Sequence, residues 1–537
     1  MTAAARRDAA LCLLTAAFAF AVCLHYGRIG YHPVDHSIVF DGAWRCLSGQ
    51  LPFRDYQTPS AVTPILMQAA FFRLLGVTWL SYCLHAALVN GAFAALVHGL
   101  LRVLGASPLA ATLGALGSGI AFYPVQGVPF MDQHAFFFTA AAVALPCFAL
   151  RAPPAARAAL LFATPAALAF GYASKQIPTV FALPAIAILW AAWMPARTRS
   201  LVTLGAGGAA VIVAVAALIA ALGIPFDRFW YDYQTLPMLH GKLRSTSEGI
   251  GPSLASTARV LWHLGLASLA LLVAATVAWL AGAARDVVLL AARRAPPRVL
   301  GPAGLVASWL TVVTLLFVRL TNNEPEEGLA FVPAALALFW VEVRRVAGPS
   351  RVSSVAGILL AVAGSWDAVA FTSRVVAPRR ALSATLSADE GSRSLPEALS
   401  FLRYRVPAEY RDASAESLGN VVAFFRDHPG NFMLVGDSSI LYGLTGRPSV
   451  GNSLWFHPGL TAPPRNTDAF ARYLRELDAR LAAFSVRFVV LEGRRTWMKV
   501  DVSLLPPVHD LVATRGREAA TYGPFRIIEI VPPAGER

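Results

Sequence analysis

Asp35 is the first residue whose type and position could do chemistry. It lies in the polar island Tyr31-His32-Pro33-Val34-Asp35-His36, which follows an apolar run over 9–26. A carboxylate partly withdrawn from water beside a bilayer has a raised pKa and makes a better general base. His32 and His36 are four apart, a spacing that on a helix would offer both rings to one metal. Pro33 and the lack of an H-E-x-x-H pattern argue against a zinc site. No cofactor is therefore expected; a divalent metal is the alternative. Asp41 follows within the same loop. If 36–48 is helical, it is amphipathic, and Ile38, Val39, Ala43, Trp44 and Leu47 would rest on the membrane surface.

A second acid, Asp132, sits in Tyr123-Pro124-Val125-Gln126-Gly127-Val128-Pro129-Phe130-Met131-Asp132-Gln133-His134, directly before another apolar run. Two roles compete for it: N-cap of the helix from 134, or a catalytic or substrate contact. Lys175 and Gln176 lie between two apolar runs with no long loop. Lysine occurs only at 175, 242 and 499, and Lys175 is the one that joins two apolar runs directly. It either snorkels or neutralises a phosphate. Arg54, His134, Lys242 and Arg244 complete the set of candidate substrate or phosphate contacts. The loop 224–255 adds Trp230, Tyr231, Tyr233 and His240, suited to a sugar or lipid headgroup or to an interfacial aromatic belt.

These residues need elements to hold them, and the composition says which kind. The chain has 537 residues, 56% hydrophobic and 14% charged, with net charge +14. Soluble chains carry about 25% charged residues. The mean hydropathy of +0.56 and recurrent apolar runs mark a polytopic α-helical membrane protein. The excess of arginine lies in short connections between runs, which is an orientation signal rather than a phosphate-tracking stripe, so nucleic acid is not an expected partner.

A bilayer-crossing helix takes roughly 20 apolar residues. About eleven spans are expected: 9–26, 78–101, 106–123, 134–150, 157–174, 176–194, 200–223, 256–282, 301–320, 328–343 and 352–372. The piece 61–75, broken by Pro64, Gln68 and Arg73, reads as interfacial or half-inserted. With the N-terminus inside, every inner connection is basic, from Arg102 through Arg344, Arg345 and Arg351, as the positive-inside rule requires. The loops 27–77, 123–133 and 224–255 then lie outside, with everything from 373. Residues 1–372 form the transmembrane domain. Residues 373–537 read as a soluble α/β domain, with strand-like runs at 432–435, 486–491 and 525–531 and helical patterns at 414–427 and 467–484. Val435-Gly436-Asp437-Ser438-Ser439 follows a strand but lacks a phosphate-loop pattern. Five cysteines show no metal or redox spacing; Cys23 and Cys46 are the pair placed to form an outer bridge.

Several motifs together resemble a known family. They are Asp35, then Ala43-Trp44-Arg45-Cys46-Leu47-Ser48-Gly49-Gln50-Leu51-Pro52-Phe53-Arg54-Asp55, then Pro64 through Phe72-Arg73-Leu74-Leu75-Gly76. Asp132 before a Phe-rich helix, Lys175-Gln176, and Leu441-Tyr442-Gly443-Leu444-Thr445-Gly446-Arg447-Pro448 extend the likeness along the chain. The set resembles membrane glycosyltransferases of the C-type fold, in particular bacterial relatives of protein O-mannosyltransferase and of the lipid A aminoarabinose transferase. The resemblance implies inverting transfer from a polyprenyl-phosphate sugar to a hydroxyl of a lipid, glycan or protein acceptor. It implies Asp35 as base and a cation on the departing phosphate, in a bacterial inner membrane with the C-terminal domain periplasmic. This chain has Asp35-His36 where many eukaryotic members have Asp-Glu. Gln57-Thr58-Pro59 replaces a K-P-P run of the aminoarabinose type, which leaves that lysine's phosphate role vacant or moves it to Arg54 or Lys175. A transporter or flippase, or a non-catalytic envelope-assembly protein, are the competing functions.

Overall fold

Helix length and capping follow the sequence closely. The computed structural model describes residues 2–239, 301–321, 329–348, 394–406, 412–459, 461–493 and 501–532, with scattered positions in 273–280 and 355–373. Helix α1 (Ala3–Gly27) starts at the Thr2 cap, α4 (Trp79–Val103) at a Thr78–Ser81 capping box, and α5 (Pro108–Ala121) at Ser107 followed by proline. Then come α6 (Met131–Arg151), α7 (Pro154–Ser174), the single turn α8 (Gln176–Thr179), α9 (Ala182–Trp193) and α10 (Arg197–Ala221). Further helices are α11 (Phe226–Trp230), α12 (Pro302–Thr321) and α13 (Val332–Ala347).

Among the described residues, six segments are long and apolar enough to cross a membrane: Ala3–Gly27, Trp79–Val103, Met131–Arg151, Pro154–Ser174, Gln176–Trp193 and Arg197–Ala221. The protein is thus a polytopic helical membrane protein. Helices α5, α12 and α13 match further expected spans, but α5 has only 14 residues and α13 only 16. The expected span 256–282 falls largely outside the described residues, and 352–372 partly so. Val202, Ile212 and Val213 of α10 are two-thirds exposed or more, as lipid-facing side chains are. Arg102 at the end of α4 pairs with Asp8 at the start of α1 (2.8 Å), so both lie at one face of the bundle.

Two helices lie between α1 and α4. Helix α3 (Val62–Leu75) has 14 residues, about 21 Å long, short of a roughly 30 Å hydrocarbon core. Its Pro64, Ile65, Gln68 and Phe72 are buried while Leu66, Leu74 and Leu75 are exposed. Helix α2 (Pro33–Leu47) is amphipathic as expected, yet its apolar side does not rest on the membrane. Ile38, Val39 and Ala43 are 3%, 0% and 0% exposed. They sit in a core shared with α3, α4 and the C-terminal residues Leu418, Phe432 and Tyr442. The cover is protein because the C-terminal residues fold down onto α2.

That C-terminal part holds α14 (Ala415–Asp427), β1 (Asn431–Val435), α15 (Ile440–Thr445), α16 (Asp468–Ala483), β2 (Val486–Glu492), α17 (Pro506–Arg515), β3 (Gly516–Tyr522) and β4 (Phe525–Ile530). The sheet order is β1-β2-β4-β3, with β1 and β2 parallel and the other pairs antiparallel. Alternation divides the faces. Phe432 and Leu434 enter the core with α2, whereas Met433 and Val435 pack against Tyr473, Leu477 and Leu481 of α16. The expected strands are present. Strand β3, Gly516-Arg517-Glu518-Ala519-Ala520-Thr521-Tyr522, was not foreseen; it is an exposed edge strand with little apolar alternation.

Candidate active site

Three loops meet above the bundle. The first loop starts α2, whose first turn is built from its own polar residues. His32 is the N-cap, and its Nδ1 accepts the Asp35 N–H (3.4 Å), while the His32 N–H donates to His36 Nδ1 (3.2 Å). Pro33 fixes the first helical position. Both histidines therefore spend their Nδ1 atoms holding the helix start. Asp35 sits in that first turn, where the helix dipole favours a carboxylate. Its side chain is 34% exposed, and Oδ2 is 3.6 Å from His32 Nδ1.

The other acids of this loop are committed elsewhere. Asp41 is wholly buried, receives Arg45 Nε on Oδ2 (2.9 Å) and accepts the Ser449 hydroxyl on Oδ1 (2.5 Å). Arg45 continues to the carbonyls of Gly451 (2.7 Å) and Ser453 (3.3 Å). Burial pushes the Asp41 pKa up, opposed by Arg45 and the Ser449 bond. A buried pair so placed fixes geometry more than it adds stability. Asp55 accepts the Leu51 N–H (2.6 Å) and pairs with Arg54 (2.8 Å). Arg54 also donates to the Gly49 carbonyl (2.7 Å). Arg54 is thus engaged at the tip of the first loop.

The second loop reaches the first through two contacts. The Tyr82 hydroxyl of α4 donates to the His36 carbonyl (3.0 Å) and approaches the Pro129 carbonyl (3.4 Å). Gly27 and Gly127 meet backbone to backbone: a Cβ on Gly27 would stand 2.2 Å from the Gly127 carbonyl oxygen, and Gly127 has φ +74°. This close approach sets the loop that leads into α6.

Asp132 is not the N-cap. Phe130 takes that position without a side-chain bond, and Asp132 falls inside the first turn. Its carboxylate is 1% exposed and pairs with Lys175 Nζ at 2.5 Å; Lys175 is 19% exposed. Lys175 can stand there because α7 ends at Ser174, where Lys175 is extended (φ −161°). Gln176 fastens the neighbouring segments, donating to the Pro59 carbonyl (3.0 Å) and the Tyr233 carbonyl (2.8 Å). The Ala61 N–H donates to the Ser174 carbonyl (2.8 Å). Tyr172 donates to Gln234 Oε1 (2.8 Å), and Tyr233 donates to the Tyr172 carbonyl. Tyr233 belongs to a π-turn, Tyr231–Thr235, and stacks with Phe229. The structure thereby brings Asp132, Lys175, Gln176 and the start of the third loop together. Lys242, Arg244 and His240 lie outside the described residues.

His134 does not face this site. It is 0% exposed, deep among α4, α6 and the second loop. It belongs to a buried chain of side chains. His85 Nδ1 meets Gln68 Oε1 (2.9 Å), His134 Nε2 meets His85 Nε2 (3.0 Å), and His134 Nδ1 meets both the Tyr123 hydroxyl and the Phe130 carbonyl (3.1 Å). Both nitrogens of His134 are used in these contacts inside the bundle. The Cys23–Cys46 bridge is likewise absent: all five cysteines are free.

Sequence reading missed the support beneath Asp35. The Tyr31 and Ser37 hydroxyls meet at 3.0 Å. Behind them, Glu492 at the end of β2 accepts the N–H groups of Asp437 (2.7 Å) and Ser438 (2.9 Å) on one oxygen and the Ser438 hydroxyl (2.8 Å) on the other. Burial first, then Asp437, push Glu492 up to about 7, against the pull of those donors. The Gly-Asp-Ser-Ser turn was visible in sequence, but not that it grips a glutamate 54 residues away.

Fold and site define a class: a polytopic membrane protein whose loop acids and one lysine gather on the face covered by its C-terminal α/β part. No family model matches the chain, and no curated protein does. Among solved structures, it is similar to ArnT from Cupriavidus metallidurans bound to undecaprenyl phosphate, with TM-score 0.47 and 13% identity over 98% of this chain and 99% of that one. The apo form of ArnT from the same organism gives TM-score 0.36 and 12% identity over 97% and 98%. Likeness at these values transfers no residue role to this chain.

Proposed function

We propose that this protein is an inverting glycosyltransferase of the C-type fold that moves a sugar from a polyprenyl-phosphate donor to an acceptor hydroxyl at the outer face of the bacterial inner membrane. The observation that carries the reading is the division of labour among the acids. Asp41 and Asp55 are consumed by arginines, Asp132 holds Lys175, and Asp35 is left a third exposed at a helix start.

In this mechanism Asp35 accepts the acceptor's proton as its oxygen attacks the anomeric carbon. The bond to the phosphate oxygen breaks on the opposite side, and the polyprenyl phosphate leaves with the electron pair. Lys175 neutralises the charge that develops there. Asp132 acts on Lys175: a buried carboxylate 2.5 Å from Nζ fixes the position of the amine. Gln176 and the Tyr233 turn hold the third loop at the same rim, where its aromatic residues suit a sugar. The N-terminus and the Arg102 connection would be cytoplasmic and the C-terminal domain periplasmic. The polyprenyl phosphate that would leave in this reaction is of the same chemical class as the ligand bound to the ArnT neighbour, which carries no sugar.

Reconstituted protein supplied with a labelled polyprenyl-phosphate sugar and a lipid or glycan acceptor fraction tests the reading. The expected result is label in covalent product. Label that crosses the vesicle membrane with no covalent product would instead indicate a flippase.

A further inference from the structure

At the opposite end of the bundle from Lys175, α5 begins and α13 ends around a cavity of about 390 Å³. Its walls include Ser107, Ala110, Ala337, Trp340, Arg344 and Arg345. Three features set it apart from an ordinary gap between helices. Arg344 is partly buried and has no carboxylate partner among the described residues. Arg345 is held by Glu342 (2.5 Å), which aims one of the two cations. The indole N–H of Trp340 is buried with no acceptor among the described residues. An unpaired guanidinium and an unmet donor at the end of a membrane helix are both costly without an anion.

We infer that this cavity binds the phosphate of an anionic membrane lipid, on the face of the protein away from the candidate active site. The shared chemistry is a phosphate oxygen set, which a guanidinium and an indole N–H both suit. The surroundings favour a lipid over a soluble phosphate. Leu109 (50% exposed), Val343 (47%) and Leu359 (62%) stand on the helices that frame the cavity, and acyl chains would lie along them. Basic pockets between membrane helices on the side of the arginine-rich connections are suited to anionic headgroups. Ser107 already caps the Ala110 N–H (3.3 Å), so the start of α5 is not itself the site.

The full chain in nanodiscs of phosphatidylcholine, titrated with phosphatidylglycerol, tests this by native mass spectrometry and thermal unfolding. Wild type is expected to retain phosphatidylglycerol and to unfold at higher temperature as its share rises. Arg344→Gln should weaken that retention roughly fivefold or more, and Ala110→Phe, which fills the cavity, should remove it. If the filled variant does not fold, Arg344→Gln alone decides. Equal retention of phosphatidylglycerol by wild type and Arg344→Gln would overturn the proposal, as would equal retention of phosphatidylcholine. Competition by glycerol 3-phosphate, which has no acyl chain, would also overturn it in favour of a soluble phosphate.

Discussion

Asp132 and Lys175 make the sharpest residue-scale prediction, because pairing can be separated from phosphate binding. Lys175→Met leaves a buried carboxylate without its counter-charge and should cost about 3–5 kcal/mol. Adding Asp132→Asn removes that penalty. The double variant should therefore recover thermal stability but remain about 10²–10³-fold slower in sugar transfer, the usual loss when a charge-stabilising donor is removed. Recovery of both properties would make the pair structural. Glu492 gives a second test. Its folded pKa is raised to about 7 from the ordinary 4.5. The folded state thus keeps a proton that the unfolded chain releases, so this contribution is fully present below about 4.5 and lost as pH rises through 7. Glu492→Gln should flatten the stability profile between those values, because its amide oxygen still accepts both N–H groups. Glu492→Ala orphans those two donors and should destabilise at every pH by about 2–4 kcal/mol in thermal or denaturant unfolding. Much of this scale was legible in sequence. Asp132 and Lys175 stand out as charges at the edges of apolar runs. The burial of Asp41 and the enclosure of His134 were not legible, since each depends on partners in other elements, Ser449 and His85.

Among the elements, α2 is the one on which the account depends. Its start carries Asp35, and its body is wedged between α3 and α4 on one side and α15 on the other. Gly443 permits the close approach: a Cβ there would lie 2.8 Å from Phe40 Cε1 and 3.5 Å from Trp44 Cβ. Phe40 is itself 0% exposed, so it cannot swing aside. The Trp44 indole N–H donates to the Arg447 carbonyl (2.8 Å), and Arg447 donates to the Phe425 carbonyl (3.1 Å). The Leu-Tyr-Gly-Leu-Thr-Gly-Arg run is therefore the seat of α2, which gives a physical reason for its pattern. Gly443→Val should cost about 1–3 kcal/mol by overpacking, seen as a lower unfolding midpoint. It should also slow transfer, because the shift falls on the helix that presents Asp35. An apolar face on α2 could be read from its periodicity. What covers that face could not, because a bilayer and a protein core ask for the same residues.

Over the whole molecule, the membrane and C-terminal parts share a core through the first loop. Composition and hydropathy pointed to the helices, and strand-like runs to the sheet. Neither could report that Phe432 and Leu434 of β1 face the same core as Ile38 of α2, some 400 residues earlier in the chain. That long-range packing lets a soluble sheet stiffen a loop at a membrane surface. The support is layered: Glu492 grips the turn after β1, that turn lies against Ser37, and the capping histidines fix the turn that carries Asp35. The most direct test of this arrangement is the rate of labelled-sugar transfer by Asp35→Asn, in protein whose unfolding midpoint matches wild type. A loss of at least about 10²-fold is expected, the range of general-base catalysis. Transfer at the wild-type rate would contradict it.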